Sequence, residues 1–212
     1  MLETGHGRAE RRSRLPAGKG LAMGAWIHMV PLADATGTLK QAYDKVTTPH
    51  GTVDNVMRAH SLRPHTMEGH VALYRSVLHH PDNKLPLWFL ECVAVATSLL
   101  NRCDYSFAHH WTNARKLIRD EARAAEMLQA LRDDQPERAF AGKELALLRY
   151  ARKLTRSPGA LERADVDACR DAGADDGEIL EVNQVCAYFN YANRLLNGLG
   201  VDTEGDMVGY YK

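Results

Sequence analysis

Cysteine, surplus charge and long apolar runs are all scarce in this sequence. The 212 residues include 4 cysteines, none of them in a CxxC pair, which excludes a disulfide scaffold, a cysteine zinc cluster and a thioredoxin-type thiol pair. The 27 basic residues balance 27 acidic ones, so no nucleic-acid partner is expected. The longest apolar segment, residues 85–100, contains Pro86 and Glu91. It is shorter than the roughly 20 residues that span a bilayer, so no membrane partner is expected.

What remains is the composition of a globular protein. Hydrophobic residues make up 45% of the chain, which is enough for a core without covalent staples. Residues 1–24 are rich in Gly, Arg and Lys and lack apolar periodicity. We therefore predict a flexible extension there and one domain over residues 25–212. Because His28 and Pro31 interrupt the only segment that resembles a signal core, a cytoplasmic location is expected.

Helical periodicity runs through nearly all of that domain. No run of alternating β-branched residues is long enough to predict a strand, so we expect an all-α, compact multi-helix bundle. The predicted helices span residues 36–46, 55–60, 64–78, 86–100, 103–119, 122–131, 143–155, 163–172 and 178–196. The helix over residues 86–100 is apolar around most of its circumference, which predicts a central position.

The residues most suited to chemistry lie near the turn after that helix. If Asn101 caps the next helix, Cys103 lies in its first turn, where unpaired amides and the helix dipole favour a thiolate. Cys103, Ser106 and His110 are spaced i, i+3, i+7 and share one helical face. Cys103 is the candidate reactive thiol and His110 the candidate general base. The other cysteines, Cys92, Cys169 and Cys186, are predicted to be small core residues.

A carboxylate inside an apolar helix is the second unusual feature. Glu91 is costly to bury unless it is paired or hydrogen-bonded. A chain that folds back at Asn101 brings Glu91 toward the face that carries Cys103 and His110. A proton relay through these groups is one interpretation. In the other, Glu91 satisfies a backbone or arginine partner and His110 only caps or packs.

These residues together resemble the alkylhydroperoxidase D and carboxymuconolactone decarboxylase family, in its peroxidase-related branch. Peroxidase members of that family carry a Glu, then a CxxC pair starting twelve residues on, then a His four residues after the second Cys. Glu91, Cys103 and His110 match this pattern, whereas Ser106 stands at the position of the second Cys. The resemblance extends to residues 51–78 and 188–201.

The resemblance implies an all-α fold, assembly as trimers or hexamers, and a small pocket near protomer contacts. In the peroxidase members the second Cys attacks the peroxide, the first resolves it to a disulfide, and Glu and His relay protons. Ser106 cannot form a sulfenic acid or a disulfide. The usual dithiol cycle is therefore unavailable within this motif. Decarboxylase members lack the cysteines and keep acid–base residues.

Three functions follow as hypotheses. In the first, Cys103 is the thiol of a peroxidase-related oxidoreductase that acts on a hydroperoxide and is reduced by an external thiol. In the second, Glu91 and His110 perform cofactor-free decarboxylase, lyase or isomerase chemistry on a small carbonyl or carboxylate. The third is a non-catalytic protein of the same fold. Ser106 argues for the second hypothesis and against a dithiol version of the first.

Cofactors, metals and assembly complete the sequence-based expectations. The histidine pairs at residues 79–80 and 109–110 face different directions on a helix, so no metal site is predicted, and no cofactor is predicted. The apolar helix over residues 86–100 and the last long helix offer more hydrophobic surface than one bundle readily covers. A homo-oligomer is therefore expected.

Overall fold

The computed structural model describes residues 24–209, and within them every regular element is helical. The all-α prediction is confirmed. The predicted extension over residues 1–24 lies outside the described residues except for Gly24. The described α-helices are α1 (Gly37–Val46), α2 (Asn55–Arg58), α3 (Pro64–Leu78), α4 (Leu87–Leu100), α5 (Asp104–Ile118), α6 (Glu121–Arg132), α7 (Gly142–Arg156), α8 (Arg163–Asp171) and α9 (Asp176–Leu199).

Helix α4 is the central element, as its sequence predicts. Pro86 occupies its N-cap, where the missing N–H costs no hydrogen bond. Phe89, Leu90 and Val95 point to different sides of the helix and are all fully buried. Helices α5, α7 and α9 pack around α4 and cover most of its apolar surface, whereas Leu87, Trp88, Leu99 and Leu100 stay partly exposed. The homo-oligomer expected from this helix and α9 together remains a prediction.

Helix α9 is longer than predicted and spans the bundle. The side chains of Asp175 and Glu178 form a reciprocal capping box at its start. The helix continues beyond the predicted end at Leu196 because Gly200, not Gly198, takes the left-handed conformation, with φ of 60°. This extra turn carries the chain back to α4 and α5, where Asn197 Nδ2 donates to the carbonyl of Asn101 at 3.0 Å.

The turn between α4 and α5 sets up the candidate site. Asn101 is the C-cap of α4, and Arg102 adopts a left-handed φ of 53°, which reverses the chain. Cys103 is consequently the N-cap of α5 and not a residue of its first turn, and its N–H is paired with the carbonyl of Ser98 at 2.9 Å. The two helices run side by side, which aligns Glu91 on α4 with His110 on α5.

The C-terminal segment, residues 201–209, lies against the end of the bundle and is called the strap below. Its first residues pair with the start of the described chain, where the N–H of Asp202 donates to the carbonyl of Gly24 at 3.0 Å. Asp206 then reaches α2 and α5. None of the helices within residues 24–209 combines the length and the apolar character needed to cross a bilayer.

Candidate functional site

A buried carboxylate–imidazole pair forms the centre of the site. His110 Nδ1 lies 2.6 Å from Glu91 Oε2, and the Glu91 side chain is fully buried. Asn113, one turn beyond His110 on α5, donates to the other oxygen of Glu91 at 3.3 Å. The predicted approach of Glu91 to the His110 face is confirmed. A hydrogen bond at Nδ1 leaves Nε2, on the far side of the ring, for a substrate.

The imidazole of His110 forms part of the wall of a small cavity between α3, α5 and α9. The cavity has a volume of about 120 Å³, enough for a few small-molecule atoms or waters. Its aromatic lining consists of His70, Tyr74, Tyr105, His109, His110, Tyr188 and Phe189. Such walls favour a small, mainly apolar ligand that carries one or two polar groups.

Ser106 belongs to this wall, whereas Cys103 lies behind it. Ser106 is 3% exposed and lines the cavity one turn before His110. Cys103 is 1% exposed, and among residues 24–209 it is not part of the cavity wall. Burial raises the pKa of the Cys103 thiol, although hydrogen bonds from Ser106 and Asn193 act in the opposite direction.

The structure does not support an activated thiolate at Cys103. The N–H and the hydroxyl of Ser106 at the start of α5 hydrogen-bond the thiol, but the cost of desolvating a thiolate at this buried position is larger, so the pKa of the thiol is raised. The residues that face the cavity are Ser106 and His110, with Glu91 directly behind His110.

The remaining cysteines are core residues, as predicted. Cys92, Cys169 and Cys186 are all fully buried, and burial raises the pKa of each thiol. Within residues 24–209 there is no group of three or more His, Cys, Asp or Glu side chains placed to hold a metal ion.

A second polar group of the cavity was missed by the sequence argument. The hydroxyl of Tyr188 on α9 lies 3.0 Å from His70 Nε2 on α3, and both residues are buried. His60 lies beside His70, with 4.9 Å between the ring centres and the two rings tilted by 48°. A usable signal existed in α3, because Met67, His70 and Tyr74 are spaced i, i+3, i+7 and place a histidine on the apolar face.

The strap supports one wall of the cavity from behind, through Tyr105 and His109. The side chain of Asp206 is 2% exposed, accepts hydrogen bonds from the N–H of Asn55 at 3.0 and 3.1 Å, and also accepts one from the Tyr105 hydroxyl. His109 Nε2 lies 3.7 Å from the same carboxylate. Burial and this carboxylate raise the pKa of Tyr105 well above its ordinary value. Tyr105 therefore stays neutral and serves as a hydrogen-bonded wall.

Comparison with known proteins places this site in a recognised fold. No family model and no curated protein sequence matches the chain. Among solved structures, an alkylhydroperoxidase AhpD core from Ralstonia eutropha JMP134, described as an uncharacterized peroxidase-related protein, is 22% identical with a TM-score of 0.74. That match covers 86% of this chain and 94% of the other.

Two further structures extend the comparison. A peroxidase-related protein from Silicibacter sp. TM1040 is 23% identical over 87% of this chain and 96% of its own, with a TM-score of 0.73. A structure of the debrominase Bmp8 with 2,3,4-tribromopyrrole is 16% identical over 86% of this chain and 94% of its own, with a TM-score of 0.65. The likeness confirms the fold that the motif predicted.

Proposed function

From the alkylhydroperoxidase D-like fold that the chain shares with these proteins, we propose that it is an enzyme that moves protons on a small carbonyl or carboxylate substrate. The observation that carries this proposal is the 2.6 Å contact between buried Glu91 and His110, whose ring lines the cavity. The motif of Glu91, Cys103 and His110 supports membership of the family named for alkylhydroperoxidase D and carboxymuconolactone decarboxylase. Ser106 in the cavity wall favours its acid–base chemistry over its dithiol chemistry.

The proposed mechanism uses His110 as the base. Its Nε2 takes a proton from a carbon next to the substrate carbonyl. The resulting imidazolium continues to donate its Nδ1–H to the carboxylate of Glu91. Because Glu91 is buried, its attraction for this cation is strong. The Ser106 hydroxyl, one turn earlier on the same wall, turns its proton from Cys103 to the substrate oxygen where negative charge develops. Return of the proton to another carbon completes an isomerisation. In a decarboxylation, a proton from His110 replaces the carbon dioxide that leaves.

The test is hydrogen exchange of small carbon acids in D₂O, followed by NMR. The panel contains β-keto acids and unsaturated lactones, with 2,3,4-tribromopyrrole as a binding probe, since a similar fold holds it. Glu91→Gln and His110→Gln should each lower the exchange rate by about 10² or more. Glu126→Gln, at an exposed glutamate on α6, is the matched control. Equal rates in Glu91→Gln and the control would contradict the proposal.

A thiol peroxidase is the second candidate, because Cys103 matches a thiol of the family motif and accepts hydrogen bonds from Ser106 and Asn193, which partly offset the rise in its pKa caused by burial. In that reaction the thiolate of Cys103 attacks ROOH to give a sulfenic acid, and ROH leaves with one added proton. Two external thiols then restore the thiol, releasing a disulfide and water. Mass spectrometry after treatment with dilute peroxide distinguishes the two candidate functions. A sulfenic acid at Cys103, absent in Cys103→Ala and independent of Cys169→Ala, would favour this candidate over proton transfer.

A further inference from the structure

The cavity holds a second group able to exchange protons, separate from Glu91 and His110. Tyr188 lines the same cavity as His110, and its hydroxyl is 3.0 Å from His70 Nε2. The ring of Tyr74 lies between the two groups, 6.2 Å from His110 and 5.7 Å from Tyr188. One ligand in this cavity can therefore contact a base on one wall and a phenol on another.

A series of polar groups leads from Tyr188 through His70 and His60 to Thr66. The donors and acceptors at its Thr66 end can be assigned. Thr66 donates its only proton to the carbonyl of Arg63 at 2.8 Å. His60 Nδ1 lies 2.8 Å from the same threonine oxygen and must be the donor of that contact. His60 Nε2 is consequently an acceptor. Thr66 and Arg63 are exposed, so the series of polar groups reaches solvent at Thr66.

Between His60 and His70 this series of hydrogen bonds is interrupted. His60 Nε2 and His70 Nδ1 are both buried and have no hydrogen-bond partner among residues 24–209. They belong to neighbouring rings whose centres are 4.9 Å apart. An unsatisfied buried nitrogen destabilises the fold, and a single water between two such atoms would satisfy both.

We propose that Tyr188 is a second acid–base residue of the cavity, and that His70, one bridging water and His60 relay its proton to the surface at Thr66. The proposal rests on the proposed function for its substrate. Tyr188 is the catalytic residue, because it faces the substrate cavity. His70 and His60 act through it and are positioning residues. The inferred water is the only member of the relay that the protein does not supply.

Each member of the relay gains one proton and gives one away. A proton taken from the substrate adds to the Tyr188 oxygen while the hydroxyl proton of Tyr188 moves to His70 Nε2. The Nδ1 proton of His70 passes to the water, a proton of that water passes to His60 Nε2, and the Nδ1 proton of His60 leaves to solvent beside Thr66. Both imidazoles end as the opposite tautomer, and the reverse passage supplies a proton to the product.

The protonation states of the three groups suit this role. Burial lowers the pKa of His70 to about 4 and also lowers that of His60. Both rings are therefore neutral near pH 7, and only a neutral imidazole offers one donor and one acceptor. Burial raises the pKa of Tyr188, which keeps its proton in place until a neighbour accepts it.

The first test is substrate-free: ¹⁵N NMR of the histidine rings reports each tautomer. His60→Gln should change the tautomer balance of His70, and Tyr188→Phe should change that of both histidines. His65→Gln, at an exposed histidine on α3, and Tyr191→Phe, at a half-exposed tyrosine on α9, are the matched controls. If His60→Gln leaves the His70 ring signals unchanged, the relay is overturned whatever the activity.

The second test uses a carbon acid whose exchange depends on Glu91. Tyr188→Phe should lower kcat by about 10², and His60→Gln should lower kcat about 10-fold with KM unchanged. Unchanged kcat in Tyr188→Phe overturns the catalytic role of Tyr188. Should no carbon acid exchange in a Glu91-dependent way, the proposed function fails, while the tautomer measurement still decides the relay.

Discussion

At the residue scale, the serine at position 106, where the family motif has a cysteine, most constrains the chemistry of the site. Ser106 stands in the cavity wall, at the position that the sequence resemblance gives to an attacking thiol, and Cys103 lies behind it. Glu91 and His110 keep their hydrogen bond regardless. The hydrogen-bonded pair of the motif is therefore present, whereas no cysteine within residues 24–209 lies in the cavity wall.

Ser106→Cys should restore the missing half of that motif. The new thiol would lie in the cavity wall, one helical turn from Cys103, a separation that a disulfide can bridge. We expect dithiol-dependent consumption of hydroperoxides to appear, and to disappear again in Ser106→Cys/His110→Ala. Ser76→Cys adds a thiol at an exposed position of α3 and serves as the control. A folded Ser106→Cys protein that stays inert would mean that the cavity has been rebuilt for other chemistry.

Buried His70 should make the protein sensitive to acid. Its pKa in the folded state is about 4, below the ordinary value of 6.5, so the unfolded chain binds more protons between these pH values. The free energy of unfolding should therefore fall as pH drops from 6.5 toward 4, by about 1.4 kcal/mol per pH unit from this group. Urea denaturation across this range should show a shallower fall for His70→Gln than for the wild type or His65→Gln. Identical slopes in all three would refute this assignment.

Which site residues can be found from sequence depends on how far apart their partners lie. Glu91 and His110 are 19 residues apart on two consecutive helices, so spacing and one chain reversal are enough to pair them. His70 and Tyr188 are 118 residues apart, and no local pattern specifies that contact. The pKa of Cys103 was mispredicted for a related reason, because its burial depends on α9 and the first described residues.

At the scale of elements, apolar periodicity predicts the helices and the turn chemistry decides their ends. α4 was predicted well because an all-round apolar segment after Pro86 has only one stable position, the centre. The end of α9 was misplaced because two glycines, Gly198 and Gly200, are both plausible caps, and only the packing of the chain selects the second. The strap carries no periodic signal, so its contacts with α2 and α5 could not be predicted.

Asp206→Ala tests whether the strap is a structural part of the fold. The substitution leaves the N–H of Asn55 and the hydroxyl of Tyr105 without their shared acceptor in a buried position. We expect a loss of about 2 kcal/mol in the free energy of unfolding. Glu204→Ala, at an exposed strap residue, is the control. Equal urea midpoints for the two variants would show that the Asp206 side chain does not hold the strap to the fold.

At the scale of the whole molecule, the chain buries most of its central helix without help from a partner. Phe89, Leu90 and Val93 are fully buried within a single chain. Large apolar side chains that one chain leaves exposed lie elsewhere: Leu73 on α3 is 45% exposed and Tyr191 on α9 is 44% exposed. Tyr191 contacts the ring of His70, one turn before Leu73. These two side chains are exposed on helices α3 and α9, which pack against each other, next to the candidate relay, and are called the α3–α9 patch below.

The homo-oligomer therefore remains a prediction, now with the α3–α9 patch as its expected interface. Light scattering at micromolar concentration should give a mass that is a multiple of 23.6 kDa. Leu73→Asp/Tyr191→Asp should reduce the mass to one chain, because two desolvated carboxylates facing their copies repel and lose hydration. Leu32→Asp changes a similarly exposed leucine away from the α3–α9 patch and should leave the mass unchanged. A wild-type particle of 23.6 kDa would rule out assembly, and a double variant that still associates would move the interface elsewhere.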